Sequence, residues 1–183
     1  MGRAKIVEDD EILDAAERVV LRKGTKSLSI DTVAKEAGVS KSRVVYGGGK
    51  HSLLEMVVDR WLNSELEREA MFVANAAGTE HPELFGRISS AAVTLKDDKR
   101  AAALAIAISV SSEEGLQQKI RGHSENDLDA MARGPRPNAA LMSYLALCGF
   151  YSMQTFGFYA WSDEEQSQIL EGVESIYKSY PDS

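Results

Sequence analysis

The chain has 183 residues, and its 21 Lys and Arg against 28 Asp and Glu give a formal net charge of −7. A single cysteine, Cys148, excludes an intrachain disulfide, and no apolar stretch near twenty residues is free of polar groups, which argues against a membrane span. The charge is unevenly spread: residues 18–50 carry eight basic and two acidic side chains (net +6), whereas residues 61–183 carry ten basic and eighteen acidic (net −8). A basic segment joined to an acidic body can attract phosphates with one face and be repelled elsewhere.

In chain order, Ile12, Leu13, Ala16, Val19 and Val20 make one apolar helical face, closed by Gly24. Residues 29–46, SIDTVAKEAGVSKSRVVY, then read as helix, tight turn, helix. Ser29 is a candidate N-cap, with Asp31 in the first turn and Val33, Ala34 and Ala37 as the buried stripe. Gly38 stands where a helix ends in a left-handed residue, and Ser40 is placed to cap the next helix. That helix offers Lys41, Ser42, Arg43 and Tyr46 outward while Val44 packs back, an arrangement that fits the major groove of DNA. Candidate DNA contacts are therefore Ser40, Lys41, Ser42, Arg43 and Tyr46, with Ser29 and Lys50 on phosphates.

Another amphipathic helix follows from Lys50. At this point the chain resembles the TetR family of bacterial transcription regulators. The resemblance is carried by Ile12-Leu13-Asp14-Ala15-Ala16, Gly24, Ser29, Val33-Ala34, Ala37-Gly38-Val39-Ser40-Lys41, and Lys50 with Leu53-Leu54. It implies an all-α fold in which a three-helix, helix-turn-helix DNA-binding domain (1–50) precedes a helical ligand-binding and dimerisation domain (51–183). One departure is local: Val45 takes a position often held by Tyr in the family, and Gly47-Gly48-Gly49 leads straight to Lys50, one residue short. Three glycines lose more backbone freedom on ordering than other residues, so a loose, frayed end to the recognition helix is expected, and a DNA-independent ligand-binding or protein-interaction dimer with a decayed motif is the competing reading. A phosphate-loop reading of Gly-Lys-His-Ser fails, because Val44 stands where the first Gly of that motif belongs and no strand precedes it.

The remainder reads as helical throughout. The helix after Gly49 runs to about Ala76, and His81-Pro82-Glu83 opens another with Leu84, Phe85, Ile88, Ala91, Ala92 and Leu95 as its buried face. Lys96-Asp97-Asp98 marks a break before the nearly wholly apolar residues 101–110. Ser111-Ser112-Glu113-Glu114 caps a helix reaching Arg121-Gly122, and Glu125–Arg133 forms the next, ended by the loop Gly134-Pro135-Arg136-Pro137. Asn138–Trp161 is expected as one long aromatic-rich helix, and Ser162-Asp163-Glu164-Glu165 as the capping box of a last helix, Glu165–Lys178. No stretch alternates as strands do.

The last two helices are more apolar than one small chain can cover. With the resemblance, they imply a homodimer through Phe156, Tyr159, Ile169, Leu170, Val173 and Ile176. A pocket for a small-molecule effector is implied by the resemblance alone; its candidates are Leu104, Ile108, His123, Tyr144, Phe150, Tyr151 and Gln154. His51, His81 and His123 show no metal-ligand spacing, and His81 and His123 are expected as exposed helix-end residues. Cys148 lies in an apolar run and is expected to be buried and inert. No catalytic arrangement, cofactor or metal is indicated, so the expected protein is a cytoplasmic, non-enzymatic regulator whose partners are a double-stranded DNA operator, a second copy of itself and an effector, with no membrane.

Overall fold

The apolar residues spaced three and four apart fold, in the computed structural model, into helices that pack as two separate units. The structure describes the backbone of residues 2–45, 49–93, 100, 103–104, 107 and 114–181; side chains 2–9 and 49–52 lie outside that description. Among the described residues lie the helices α1 (Gly2–Lys23), α2 (Ile30–Ala37), α3 (Lys41–Val45), α4 (Gly49–Asn75), α5 (Pro82–Ala91), α6 (Glu114–Ala132), α7 (Pro137–Phe156) and α8 (Asp163–Ser179), with a 3-10 turn at Thr25–Ser27. No strand occurs among the described residues.

The first unit comprises Met1–Asn63 with Ala101–Gln117, and the second Ser64–Arg100 with Gln118–Ser183. These packing units differ from the motif boundary at residue 50, since the first takes in the start of α4. Its core joins Ile12, Leu13, Ala15, Ala16, Val19 and Val20 of α1 to Leu28, Val33 and Ala34, to Val44 of α3, and to Leu53, Leu54, Val57 and Val58 of α4. Each large side chain buried this way contributes about 1.5–3 kcal/mol. Charges on the rim bind the same helices together: Arg18 and Arg22 of α1 both reach Glu36 of α2, and Arg60 of α4 reaches Asp14 of α1 at 2.6 Å. The arginine hydrogen bonds hold the Glu36 carboxyl below its ordinary range.

The second unit packs Leu84, Ile88 and Ala91 of α5, Met131 of α6, Ala139, Ala140, Leu147 and Phe150 of α7, and Leu170, Val173 and Tyr177 of α8. Tyr177 is wholly buried, with His81 and Phe85 edge-on to its ring at 5.9 and 5.4 Å. His81 is the N-cap of α5 as its sequence position suggests, yet it is 2% exposed rather than on the surface. Its Nδ1 accepts from the Leu84 amide at 3.2 Å, which leaves Nε2–H to donate to the Met131 carbonyl, also at 3.2 Å. Gly134 comes so close to this ring that a Cβ there would overlap it. Arg136 lies over the same tyrosine, 5.4 Å from the Tyr177 ring centre, and donates to the carbonyls of Lys178 and Tyr180 at the end of α8.

Two helices correct the sequence expectation. Helix α6 runs unbroken through Gly122, because one glycine costs a helix only about 1 kcal/mol and flanking residues pack. Helix α7 ends at Phe156, not Trp161: Gly157 adopts a left-handed φ of 65° and closes it, a stop signal inside an otherwise apolar run. The capping box is present, with Ser162 Oγ accepting from the Glu165 amide at 3.2 Å and Glu165 Oε2 from the Ser162 amide at 2.8 Å. The break at Lys96–Asp98, most of the apolar segment 101–110 and the cap at Ser111–Ser112 fall outside the described residues.

Candidate nucleic-acid interface and a buried polar cluster

The helix-turn-helix is built from local rules. Ser29 Oγ accepts from the Thr32 amide at 3.1 Å while Thr32 Oγ1 accepts from the Ser29 amide at 2.9 Å, closing a capping box at the start of α2. The Ser29 hydroxyl, half-buried, is thereby engaged in holding α2. At the other end Gly38 has φ 68°, where an L side chain is strained, and Val39 donates to the Ala34 carbonyl at 3.0 Å. The chain turns there and enters α3. Five residues cannot hold a helix alone in water, so α3 depends on Val44, which is fully buried in the first unit's core.

Around that plug, Ser40, Lys41, Ser42 and Val45 are exposed and Arg43 is half-exposed. Lys41 Nζ lies 2.7 Å from Asp31 Oδ2 of α2, and Arg43 Nη2 lies 3.7 Å from Glu11 Oε2 of α1. Ser40 and Ser42 share a hydroxyl contact of 3.0 Å. Sequence reasoning missed Val45, which at 52% exposure presents an apolar surface beside these polar groups. Tyr46, Gly47 and Gly48 lie outside the described residues, as does the Lys50 side chain; Gly49 is the first residue of α4.

In the second unit, one buried guanidinium gathers carboxylates from three helices. Arg87 of α5 lies 2.6 Å from Asp127 of α6, 2.7 Å from Glu83 one turn back, and 3.7 Å from Glu69 of α4. The other oxygen of Asp127 accepts from the Tyr144 hydroxyl at 2.7 Å and sits 3.7 Å from His123 Nε2. His123 is therefore not an exposed helix-end residue: α6 continues past it and presents it, half-buried, one turn before Asp127. Burial pushes the Glu69 carboxyl up, against the pull of Arg87, and burial with the Asp127 contact does the same to the Tyr144 phenol. Burial likewise raises the Cys148 thiol and keeps it protonated.

Of the expected pocket residues, His123 and Tyr144 meet at Asp127. Phe150 is instead core, 6.2 Å from the Trp161 ring, Gln154 donates to Gln166 at 3.0 Å, and Leu104 belongs to the first unit. Ile108 lies outside the described residues. A separate groove of about 550 Å³ runs between α5 and α8, lined by Ile88, Ala92, Gln166, Leu170 and the acids Asp163, Glu171 and Glu174. None of the expected pocket residues lines it.

The expected dimer residues divide. Leu170 and Val173, 6% and 3% exposed, are already covered by their own chain, so they leave the interface set; the periodicity that marks a helix face does not say which neighbour covers it. Phe156 and Tyr159 are exposed, and Ile169 and Ile176 half-exposed. Phe158, which was not in the expected interface set, stacks on Phe156 at 5.4 Å and is the most exposed aromatic of the three.

The fold and the capped, basic helix-turn-helix define an all-helical regulator with a DNA-reading head. A family model for bacterial regulatory proteins of the tetR family matches residues 12–46, and one for the tetracyclin repressor-like C-terminal domain matches 86–176. The chain belongs to the TetR family of transcriptional regulators. No curated protein matches it by sequence. Among solved structures it is similar to a protein described as a transcriptional regulator from Streptomyces coelicolor A3(2), with a TM-score of 0.75 at 12% identity over 94% of this chain and 99% of the other. A TetR-family regulator from Rhodococcus sp. gives 0.67 at 17% identity over 93% and 98%, and a protein described as a regulator from Pseudomonas aeruginosa PAO1 gives 0.70 at 16% over 93% and 90%. Such distant likeness carries the fold. No helix among the described residues is long and apolar enough to cross a membrane.

Proposed function

We propose that the chain is a cytoplasmic, ligand-responsive transcriptional repressor that binds a palindromic operator as a homodimer. The observation that supports this best is the α2–α3 unit: capped at Ser29, turned at Gly38 and pinned by Val44, it leaves Ser40, Lys41, Ser42, Arg43 and Val45 facing outward. In this reading Lys41 and Arg43 meet base edges, where a guanidinium pairs best with guanine, and Val45 packs against a thymine methyl. Tyr46 and Lys50 complete the contact, Lys50 with phosphate. The aromatic patch of Phe156, Phe158 and Tyr159, with Ile169 and Ile176, supports a two-fold partner, since exposed apolar groups grouped this way mark an association surface. A dimer sets two recognition helices on half-sites about one helical turn apart. The effector is taken up by the second unit, where His123, Tyr144 and Tyr151 bring polar groups among apolar helices.

The test is selection of bound duplexes from a random pool by the full chain, followed by fluorescence anisotropy at two salt concentrations. A repressor should hold its selected sequence at least about 10³-fold more tightly than scrambled duplex, with affinity falling steeply as salt rises. Equal, weak binding to every duplex would leave the DNA-independent dimer as the better reading.

A further inference from the structure

The cluster around Arg87 carries more negative than positive charge. Within it Glu69, Glu83 and Asp127 share the one guanidinium of Arg87. Unbalanced charge in a desolvated place is costly unless a proton or a cation offsets it. Glu69 makes the imbalance specific, because its Oε2 is buried and has no hydrogen-bond partner among the described residues. Asp127 is 6% exposed, and Arg87 fixes one of its oxygens while the other turns toward His123.

The geometry of these groups matches a small cation. One donor atom each from Glu69, His123 and Asp127 falls within 4.8 Å of the other two. Donors around a Zn²⁺-sized ion, each at about 2.1 Å, stand roughly 3–4.2 Å apart. The His123–Asp127 pair already has that spacing at 3.7 Å, so closure asks for a small shift of Glu69. Two carboxylate oxygens and one imidazole nitrogen form a donor set for divalent transition metals, and Arg87 on the second Asp127 oxygen is the kind of outer contact that orients a ligating carboxylate. Donors this close leave no room for a polyatomic ligand between them.

We propose that Glu69, His123 and Asp127 form a binding site for one divalent transition-metal ion, held between α4 and α6. Tyr144, now donating to Asp127, yields that oxygen to the ion. The site shares His123 and Tyr144 with the effector reading but is read on the protein without DNA, so its failure leaves the DNA-binding reading standing, and the reverse.

The experiment is titration of the EDTA-treated full chain with Co²⁺, followed by its visible absorption bands, then displacement by Zn²⁺. One Co²⁺ per chain should bind and be displaced stoichiometrically, with a rise in the melting temperature of the native protein. Outer contacts to metal ligands are worth about 10–100-fold in affinity, so removing a direct ligand in His123→Ala or Glu69→Gln should weaken binding at least about 100-fold. Glu69→Gln keeps the shape of the side chain and carries the test should His123→Ala fold poorly, while His51→Ala should leave binding unchanged. No Co²⁺ bands at millimolar metal, or equal affinity in native protein and both ligand variants, would overturn the site. Stabilisation by tetramethylammonium but by no metal would overturn it too, in favour of an organic cation.

Discussion

Arg43 and Lys50 separate two ways of holding DNA. Arg43 sits on α3 beside the buried Val44, whereas Lys50 stands in the first turn of α4. Arg43→Ala should cost about 1–3 kcal/mol on the preferred duplex and relax the choice of one base pair, while Lys50→Ala should weaken all duplexes alike and lower the salt slope by about one. Anisotropy on matched and single-mismatch duplexes distinguishes them; identical behaviour in both variants would remove the assignment. Glu69 gives a second test. Its carboxyl is raised above 4.5, first by burial, so the ionised form is less favourable folded than unfolded. Its stabilising contribution is complete below about that value and is lost as pH rises through the higher folded value. Metal-free Glu69→Gln should therefore melt above the native protein at neutral pH, the gap closing as pH falls below 4.5, and a gap that widens in acid would reverse the assignment. Such residues show where sequence reading stops. Ser29, Gly38 and Val44 were legible because caps, left-handed turns and i, i+4 stripes are local. Glu69 was not, since its partners Arg87 and Asp127 come from other helices; only His123 and Asp127, one turn apart, left a trace.

Between elements, close approach decides what the chain tolerates. Helix α5 starts correctly because His81 can reach its own Leu84 amide and the Met131 carbonyl of α6 together, and it reaches both because Gly134 leaves the ring its space. Gly134→Ala forces the ring off these partners. It should destabilise the second unit by about 1–3 kcal/mol, as overpacking typically does, and melting curves give the measurement. Unchanged stability would mean that the ring moves at no cost. Burial of His81 was hidden in the sequence: His-Pro-Glu announces a helix start, but whether that start faces water depends on Tyr177 and Met131, far along the chain. The end of α7 was misplaced for a related reason. Aromatic density around Phe158 and Tyr159 suggested that the helix continues, whereas Gly157 stops it and turns those rings outward.

For the molecule as a whole, the distinction between inner and outer apolar groups on α7 and α8 predicts two different failures. Leu170→Glu buries a charge among Ile88, Phe150 and Val173 and should unfold the second unit, since an uncompensated charge there costs several kcal/mol. Phe156→Glu, on the exposed patch, should leave the circular dichroism of the fold intact while sedimentation reports a monomer and operator binding falls. A dimer that survives Phe156→Glu unchanged would move the interface elsewhere. Fold class and the reading head followed from periodicity and caps; the interface did not, because a stripe such as Leu170–Val173 looks the same whether its own chain or a second copy covers it.

The contacts of Lys41 with Asp31 and of Arg43 with Glu11 make DNA recognition an exchange of counterions. Each cation arrives already partnered, so docking frees a protein carboxylate, which then draws sodium or potassium from solution as the duplex sheds its own. Ion uptake offsets ion release. The logarithmic salt slope should therefore be shallower than it would be if these two cations had no internal partner. Asp31→Asn removes one internal partner: its slope should steepen, its affinity at low salt should rise, and it should converge with the native protein as salt increases. In this way two surface carboxylates buffer the grip of the protein against changes in the ionic strength around it.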